Sequence, residues 1–190
     1  DEHNKLSKRN GDASFGDLTD KGYLPEAILN YIALLGWSPS GNEEFYTLAE
    51  LEKAFTISGI SKSPSIFDID KLKWMNGEYI RRMTVEDFYN CAKSYIDDAI
   101  GDVFNESIKI RIAGLIQPRT ELLTEINDKI SFFKELPQYS TDLYCHKKMK
   151  TNTENSLTSL KIVLTALENT EISDENWVSQ NLYELLCGLA

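Results

Sequence analysis

KGYLPEAILNYIALLGW, residues 21–37, decides the class of fold. Pro25 suits the first turn of a helix, where its missing N–H costs nothing, and Gly36 suits a left-handed stop after EAILNYIALL. Leu24, Ile28, Tyr31, Ile32 and Leu35 recur at helical spacing and form one apolar stripe. Asn30 is the one position in this apolar run that packing does not explain, because a buried amide needs partners.

Outward from this stretch the same period dominates, and strand alternation is scarce. Thr47-Leu48-Ala49-Glu50 reads as a capping box opening a helix to about Phe55. TISGISKSPS (56–65) is rich in Ser, Gly and Pro and reads as a loop. Asp68 caps a short helix through IDKLKWM, stopped by Asn76-Gly77. Thr84 caps a helix with Val85, Phe88, Tyr89, Ala92 and Ile96 on one face. Ile108, Ile112, Leu115 and Ile116 sit on a helix ending before Pro118. Thr120 caps the next, with Leu122, Leu123, Ile126, Ile130 and Phe133 inward, up to Pro137. SLTSLKIVLTALEN (156–169) places Leu157, Leu160, Leu164 and Leu167 on one side. Ser173 caps a last helix, with Asp174 and Glu175 at its positive end, and that helix is still running at Ala190. These periods predict an all-α chain, a helical bundle or superhelix of about eight to ten helices. DDAIGD (97–102) interrupts them, so a boundary is expected near 97–105.

A chain of 190 residues, 42% hydrophobic and 26% charged, suits one large helical domain or two small ones. That balance excludes a disordered tail, a collagen-like chain and a disulfide-framed mini-protein. No apolar run approaches the ~20 residues of a membrane span. The first ten residues, DEHNKLSKRN, do not read as a signal peptide. Residue 1 is Asp, and a motif starts within five residues, so the chain reads as a fragment cut at both ends. Cys91, Cys145 and Cys187 are odd in number and widely spaced, which fits a reducing, cytoplasmic compartment. Cys145-His146 lacks the two further ligands of a metal site, so no metal is expected.

The net charge of −10 argues against a nucleic-acid partner, but the charge is unevenly spread. Lys62, Lys71, Lys73, Arg81 and Arg82 face only Asp68, Asp70 and Glu78 between positions 62 and 82, and Lys147, Lys148 and Lys150 form a second cluster. From Ala166 onward there are five acids and no Lys or Arg. A local basic face can follow phosphates on an acidic chain, while each cluster alone is equally a solvated helix face.

Three segments carry candidate chemistry. Lys5-Leu6-Ser7-Lys8-Arg9, followed by Asn10-Gly11, is a cationic loop able to neutralise a triphosphate, or else a solvated tail. Residues 21–37 are a capped core helix. FDIDKLKWMNGEYIRRM (67–83) interleaves Lys, Trp, Asn, Tyr and Arg. There an aromatic plane can stack on an unpaired base and an Arg can bond phosphate, or Trp74 is a core residue among surface charges.

In this order and at these distances, the segments resemble the C-terminal portion of bacterial-type glutamyl-tRNA synthetases, which are class I aminoacyl-tRNA synthetases. KLSKR is similar to the class I KMSKS signature, and the two later segments resemble the family's stem-contact and anticodon-proximal regions. The likeness is close over residues 5–90 and looser to about 150. The resemblance implies a parent that activates glutamate with ATP and Mg2+ and transfers it to tRNA-Glu. It implies that Lys5, Ser7, Lys8 and Arg9 serve the adenylation step, with Lys8 on the ATP phosphates. It also implies tRNA contacts at Ser61, Trp74, Arg81 and Arg119. Trp74 would stack on an anticodon-loop base and Arg81 would bond nearby backbone or base edges. Arg119 would sense the third anticodon base, pointing to a strict rather than a relaxed enzyme. The implied division is a signature loop at 1–20, a stem-contact domain and the start of the anticodon-binding region at 21–97, and a helical anticodon-binding domain at 98–190. The nucleotide-binding catalytic half has no counterpart in the sequence, so the fragment alone is expected to be inactive and monomeric, with no membrane partner. Cys187 stands where relatives can carry an anticodon-loop arginine, and a thiol cannot replace guanidinium donors. The rival readings are a helical protein-binding module, a relaxed synthetase charging both tRNA-Glu and tRNA-Gln, and a glutaminyl enzyme. The last is disfavoured because that branch usually reads its anticodon with β-barrels.

Overall fold

Ser14 opens the part of the chain that the computed structural model describes, residues 14–171, 173 and 177–189. Its hydroxyl accepts from the Asp17 N–H while the Asp17 carboxylate accepts from the Ser14 N–H, and this reciprocal pair starts α1 (Phe15–Asp20). Gly22, at φ +89°, then turns the chain, and its carbonyl accepts from Leu123 N–H at 3.1 Å. Only glycine fits this turn. A Cβ would stand 2.7 Å from the Thr124 nitrogen, and the φ is one that side chains disfavour.

Helix α2 (Pro25–Gly36) begins at Pro25 as expected. Its end differs. Gly36 is still helical, and the chain leaves through an extended Trp37 that bridges Ile60. The Ser61 N–H then caps the Gly36 carbonyl at 2.9 Å, so no left-handed residue is needed. Leu24, Ile28 and Tyr31 are buried, whereas Ile32 is half exposed, so the buried stripe is narrower than the sequence stripe. Asn30 is buried and satisfied. Its amide donates to Glu44 O at 2.6 Å and its oxygen accepts from Tyr46 N–H at 3.2 Å.

The Thr47 capping box opens α3 (Leu48–Ala54), and Asp68 caps α4 (Ile69–Arg82). The expected stop at Asn76-Gly77 is not there, because α4 runs straight through it. Asn76 is fully buried and accepts from Leu24 N–H at 2.8 Å while donating to Glu121 O at 2.5 Å. An amide with two tertiary partners has no reason to end the helix for local bonds. Thr84 caps α5 (Val85–Ile100), which turns at Gly101, φ +59°, into α6 (Glu106–Ile116). A 3-10 turn, Gln117–Arg119, follows. Thr120 does not cap the next helix. It is buried, and its hydroxyl donates back to Ile116 O at 2.8 Å. The chain continues in 3-10 turns on either side of the short α7 (Ile126–Ile130).

Among the described residues, those up to Leu136 form one compact unit and those from Pro137 a second. The first holds two apolar clusters. Leu18, Tyr23, Ile28, Tyr31, Leu72 and Met75 join α1, α2 and α4. Ile80, Phe88, Ile96, Ile112 and Ile126 belong to the other, which Ala27 of α2 and Leu24, the residue before that helix, also enter. Helix α5, which runs through the first four residues of DDAIGD, shares that core with α6, and Lys109 on α6 bonds Asp97 on α5 at 2.5 Å.

In the second unit Asn152 caps α8 (Thr153–Glu168), and α9 spans Ser179–Cys187. The one-sided leucine stripe is open here, with Leu157, Leu160 and Leu164 exposed and Leu167 half-buried. Periodicity marks the apolar side of a helix but not what covers it. The last helix also starts later than expected. Trp177 N–H donates to Ser173 O at 2.9 Å, and the helix begins at Ser179, preceded by Val178. Asp174 and Glu175 lie outside the described residues, as does Ala190. The described residues thus give an all-α fold in which the Trp37–Ile60 bridge is the one β-type pairing.

Candidate nucleic-acid interface

Positions 74, 78 and 81 of α4 are separated by four and three residues, so Trp74, Glu78 and Arg81 share one face of that helix. Trp74 is exposed, which disposes of its reading as a core residue. Its ring centroid lies 5.7 Å from that of Phe45, inclined at 60°, so the ring is held by a neighbour while part of its surface stays accessible. Arg81 is less free. Its Nε and Nη2 both donate to Glu78 Oε1, at 3.0 and 2.7 Å. The guanidinium lies over Gly77, where a Cβ would come within 3.0 Å of Nη1.

Arg119 belongs to the 3-10 turn that follows α6. Gln117 ties that turn to the end of α4, donating to Ile80 O at 2.8 Å and Met83 O at 3.0 Å. The same anchoring satisfies carbonyls that a helix end otherwise leaves open. It brings the backbone of the Arg119 turn to the end of α4 that carries Arg81. Arg119 is exposed and has no hydrogen-bond or ion-pair partner among the described residues. Ser61 is placed elsewhere. Its backbone caps α2, its hydroxyl accepts from Ser63 N–H at 3.1 Å, and no bond joins it to Trp74, Arg81 or Arg119 among the described residues. Lys5, Ser7, Lys8 and Arg9 lie outside the described residues.

The basic run at 62–82 is less basic in three dimensions than in sequence. Lys73 pairs with Glu125 at 2.8 Å and Glu121 at 3.5 Å, and Lys71 stands 3.8 Å from Glu44. The hydrogen bond to Glu125 leads the causes that raise the Lys73 pKa. Burial alone pushes the Glu125 carboxyl up. Hydrogen bonds from Lys73, Lys129 and the Glu121 N–H outweigh it and hold the pKa at about 2. Within the basic run Lys62 and Arg82 have no carboxylate partner among the described residues, and Arg119, beyond it, has none either. Counting charges along the chain could not find this, since Glu121 and Glu125 lie outside the counted window. Phe45 was also missed. The one sequence signal leading toward it was the unexplained Asn30, which grips the backbone on both sides of Phe45.

Residues 1–74 match the family model for the catalytic domain of class I tRNA synthetases (E and Q), and residues 74–190 match that for the anticodon binding domain. Among curated relatives, a glutamate–tRNA ligase from Clostridium tetani is 52% identical over 189 residues, covering all of this chain and 37% of the relative. One from Clostridium acetobutylicum is 53% identical over 172 residues, covering 90% of this chain and 35% of the relative. The chain thus spans little more than a third of the length of these relatives. The crystal structure of a glutamate tRNA ligase from Elizabethkingia meningosepticum in complex with its amino acid superposes with a TM-score of 0.75 at 25% identity, over 98% of this chain and 39% of that one. The likeness in sequence and in fold runs through the helices that carry Trp74, Arg81 and Arg119, and with more than half its residues matched this chain belongs to the anticodon-binding domain family and is homologous to glutamate–tRNA ligases.

Proposed function

We propose that this chain is the tRNA-binding part of a glutamate–tRNA ligase. Residues 21–97 contact the stem and begin the anticodon-binding region, and residues 98–190 continue it. The observation that carries this reading is the arrangement at α4: Trp74 open to a stacking base, Arg81 on the same face, and the unpaired Arg119 on a turn tied to the helix end. Stacking supplies affinity for an unpaired base, and guanidinium donors add phosphate and base-edge bonds. Arg119 favours the acceptor groups of cytosine at the third anticodon position over the donors of guanine, which favours strict charging of tRNA-Glu.

Residues Lys5, Ser7, Lys8 and Arg9 serve the parent's adenylation step, with Lys8 on the phosphates of ATP. Bound ATP supplies the activated phosphorus that the glutamate carboxylate attacks. The parent uses Mg2+ together with ATP.

Binding of a tRNA-Glu transcript over a salt series tests the reading. Affinity falls steeply as salt rises, and Trp74→Ala lowers it roughly 10-fold by loss of one stacked base. No binding even at low salt would return the chain to the protein-binding reading. The fragment supports no pyrophosphate exchange with glutamate, ATP and tRNA. In the full-length parent, Arg119→Gln narrows the preference for tRNA-Glu over tRNA-Gln.

A further inference from the structure

Helix α4 carries four cations, and three of them face a carboxylate: Lys71 faces Glu44, Lys73 faces Glu125 and Glu121, and Arg81 faces Glu78. The fourth, Arg82, has no carboxylate partner among the described residues. Its guanidinium carbon lies 3.8 Å from the centroid of the Phe45 ring. Phe45 in turn meets Trp74 at 5.7 Å and Tyr79 at 5.8 Å between ring centroids. The loop holding Phe45 is fastened on both sides. Asn30 takes Glu44 O and Tyr46 N–H, and the Tyr79 hydroxyl donates to Tyr46 O at 2.8 Å.

We propose that Arg82 is an RNA-contacting residue that bonds a phosphate next to the base stacked on Trp74, and that Phe45 is the positioning residue that holds its guanidinium flat. The proposal rests on the tRNA-binding reading above. Stacking orders a guanidinium through its face and leaves its N–H donors free, whereas an ion pair orders it by using them. Arg81 and Arg82 are therefore not equivalent neighbours. Arg81 reaches an anion only in competition with Glu78, while Arg82 meets one with no carboxylate bonded to it, Glu50 lining the same pocket without pairing, and with its rotamer already restricted. In a chain of net charge −10, an ordered cation beside an exposed tryptophan is the feature a phosphate would select.

The test measures binding of a tRNA-Glu transcript to the 190-residue chain over a salt series. Arg82→Gln lowers affinity roughly 5- to 20-fold at low salt and makes the logarithmic salt slope shallower by about 1. Arg82→Lys keeps the slope with an intermediate affinity, since an ammonium lacks the planar fork. Phe45→Leu weakens binding more when Arg82 is present than in the Arg82→Gln background, where only its contact with Trp74 is left to lose, whereas a merely structural defect would cost the same in both. Arg82 is exposed, so its variants fold, and thermal melting checks this. Unchanged affinity and slope for Arg82→Gln, with the wild-type chain binding, would overturn this inference alone. A wild-type chain that fails to bind would remove the tRNA reading and this inference with it.

Discussion

Gly77 shows how one residue can serve a surface site without touching a ligand. A methyl group there would press on the Arg81 guanidinium at 3.0–3.1 Å and on Glu121 Cγ at 3.2 Å. The guanidinium is the far end of a flexible side chain and can move, and alanine is favoured over glycine inside a helix by about 1 kcal/mol. Gly77→Ala therefore leaves thermal stability within about 1 kcal/mol of wild type and weakens tRNA binding by dislodging Arg81. Denaturation and binding measured on the same preparation separate the two effects. Its neighbour behaves in the opposite way. Asn76→Ala strands the Leu24 N–H and the Glu121 carbonyl in the interior. It costs roughly 2–4 kcal/mol of stability in urea unfolding.

At the scale of elements, α4 is the member that everything else adjusts to. Asp68 starts it, Asn76 ties its middle to the turn before α2 and to the segment after Thr120, and Gln117 closes its end. The Gly22 turn adds a second tie to that later segment, since Leu123 N–H donates to Gly22 O and the Thr124 hydroxyl to Lys21 O. Gly22→Ala cannot relieve its clash cheaply, because the obstructing atoms are backbone nitrogens. It lowers the unfolding midpoint by the equivalent of about 2 kcal/mol or more. Circular dichroism after substitution shows the helices retained while the melting temperature falls.

For the molecule as a whole, acid sensitivity follows from the Lys73–Glu125–Lys129 network. The Glu125 pKa is held at about 2, below its ordinary 4.5, so its stabilisation is complete above pH 4.5 and is lost as pH falls through about 2. The amount is of order 2 kcal/mol after solvent screening. Glu125→Gln flattens the stability–pH curve between pH 4.5 and 2 and lowers stability at neutral pH. Urea unfolding at several pH values checks this, and an unchanged acid limb would show that other carboxylates govern it. The amino-acid sequence alone determined the all-α class, the family motifs and the starts of α2 to α5. Thr47, Asp68 and Thr84 each cap a helix through an N–H two or three residues away, so the information is local. It also marked Trp74, Arg81 and Arg119 as an ensemble, through resemblance rather than geometry. Tertiary structure alone decided that Asn76-Gly77 continues a helix, that Lys73 is neutralised, that the α8 leucines stay open and that Arg82 rests on Phe45. Each of these turns on a partner far along the chain, such as the 45 residues between Asn76 and Glu121, or on its absence among the described residues. Hydrophobic period and local charge describe a side chain's neighbours in sequence, and these outcomes depend on its neighbours in space.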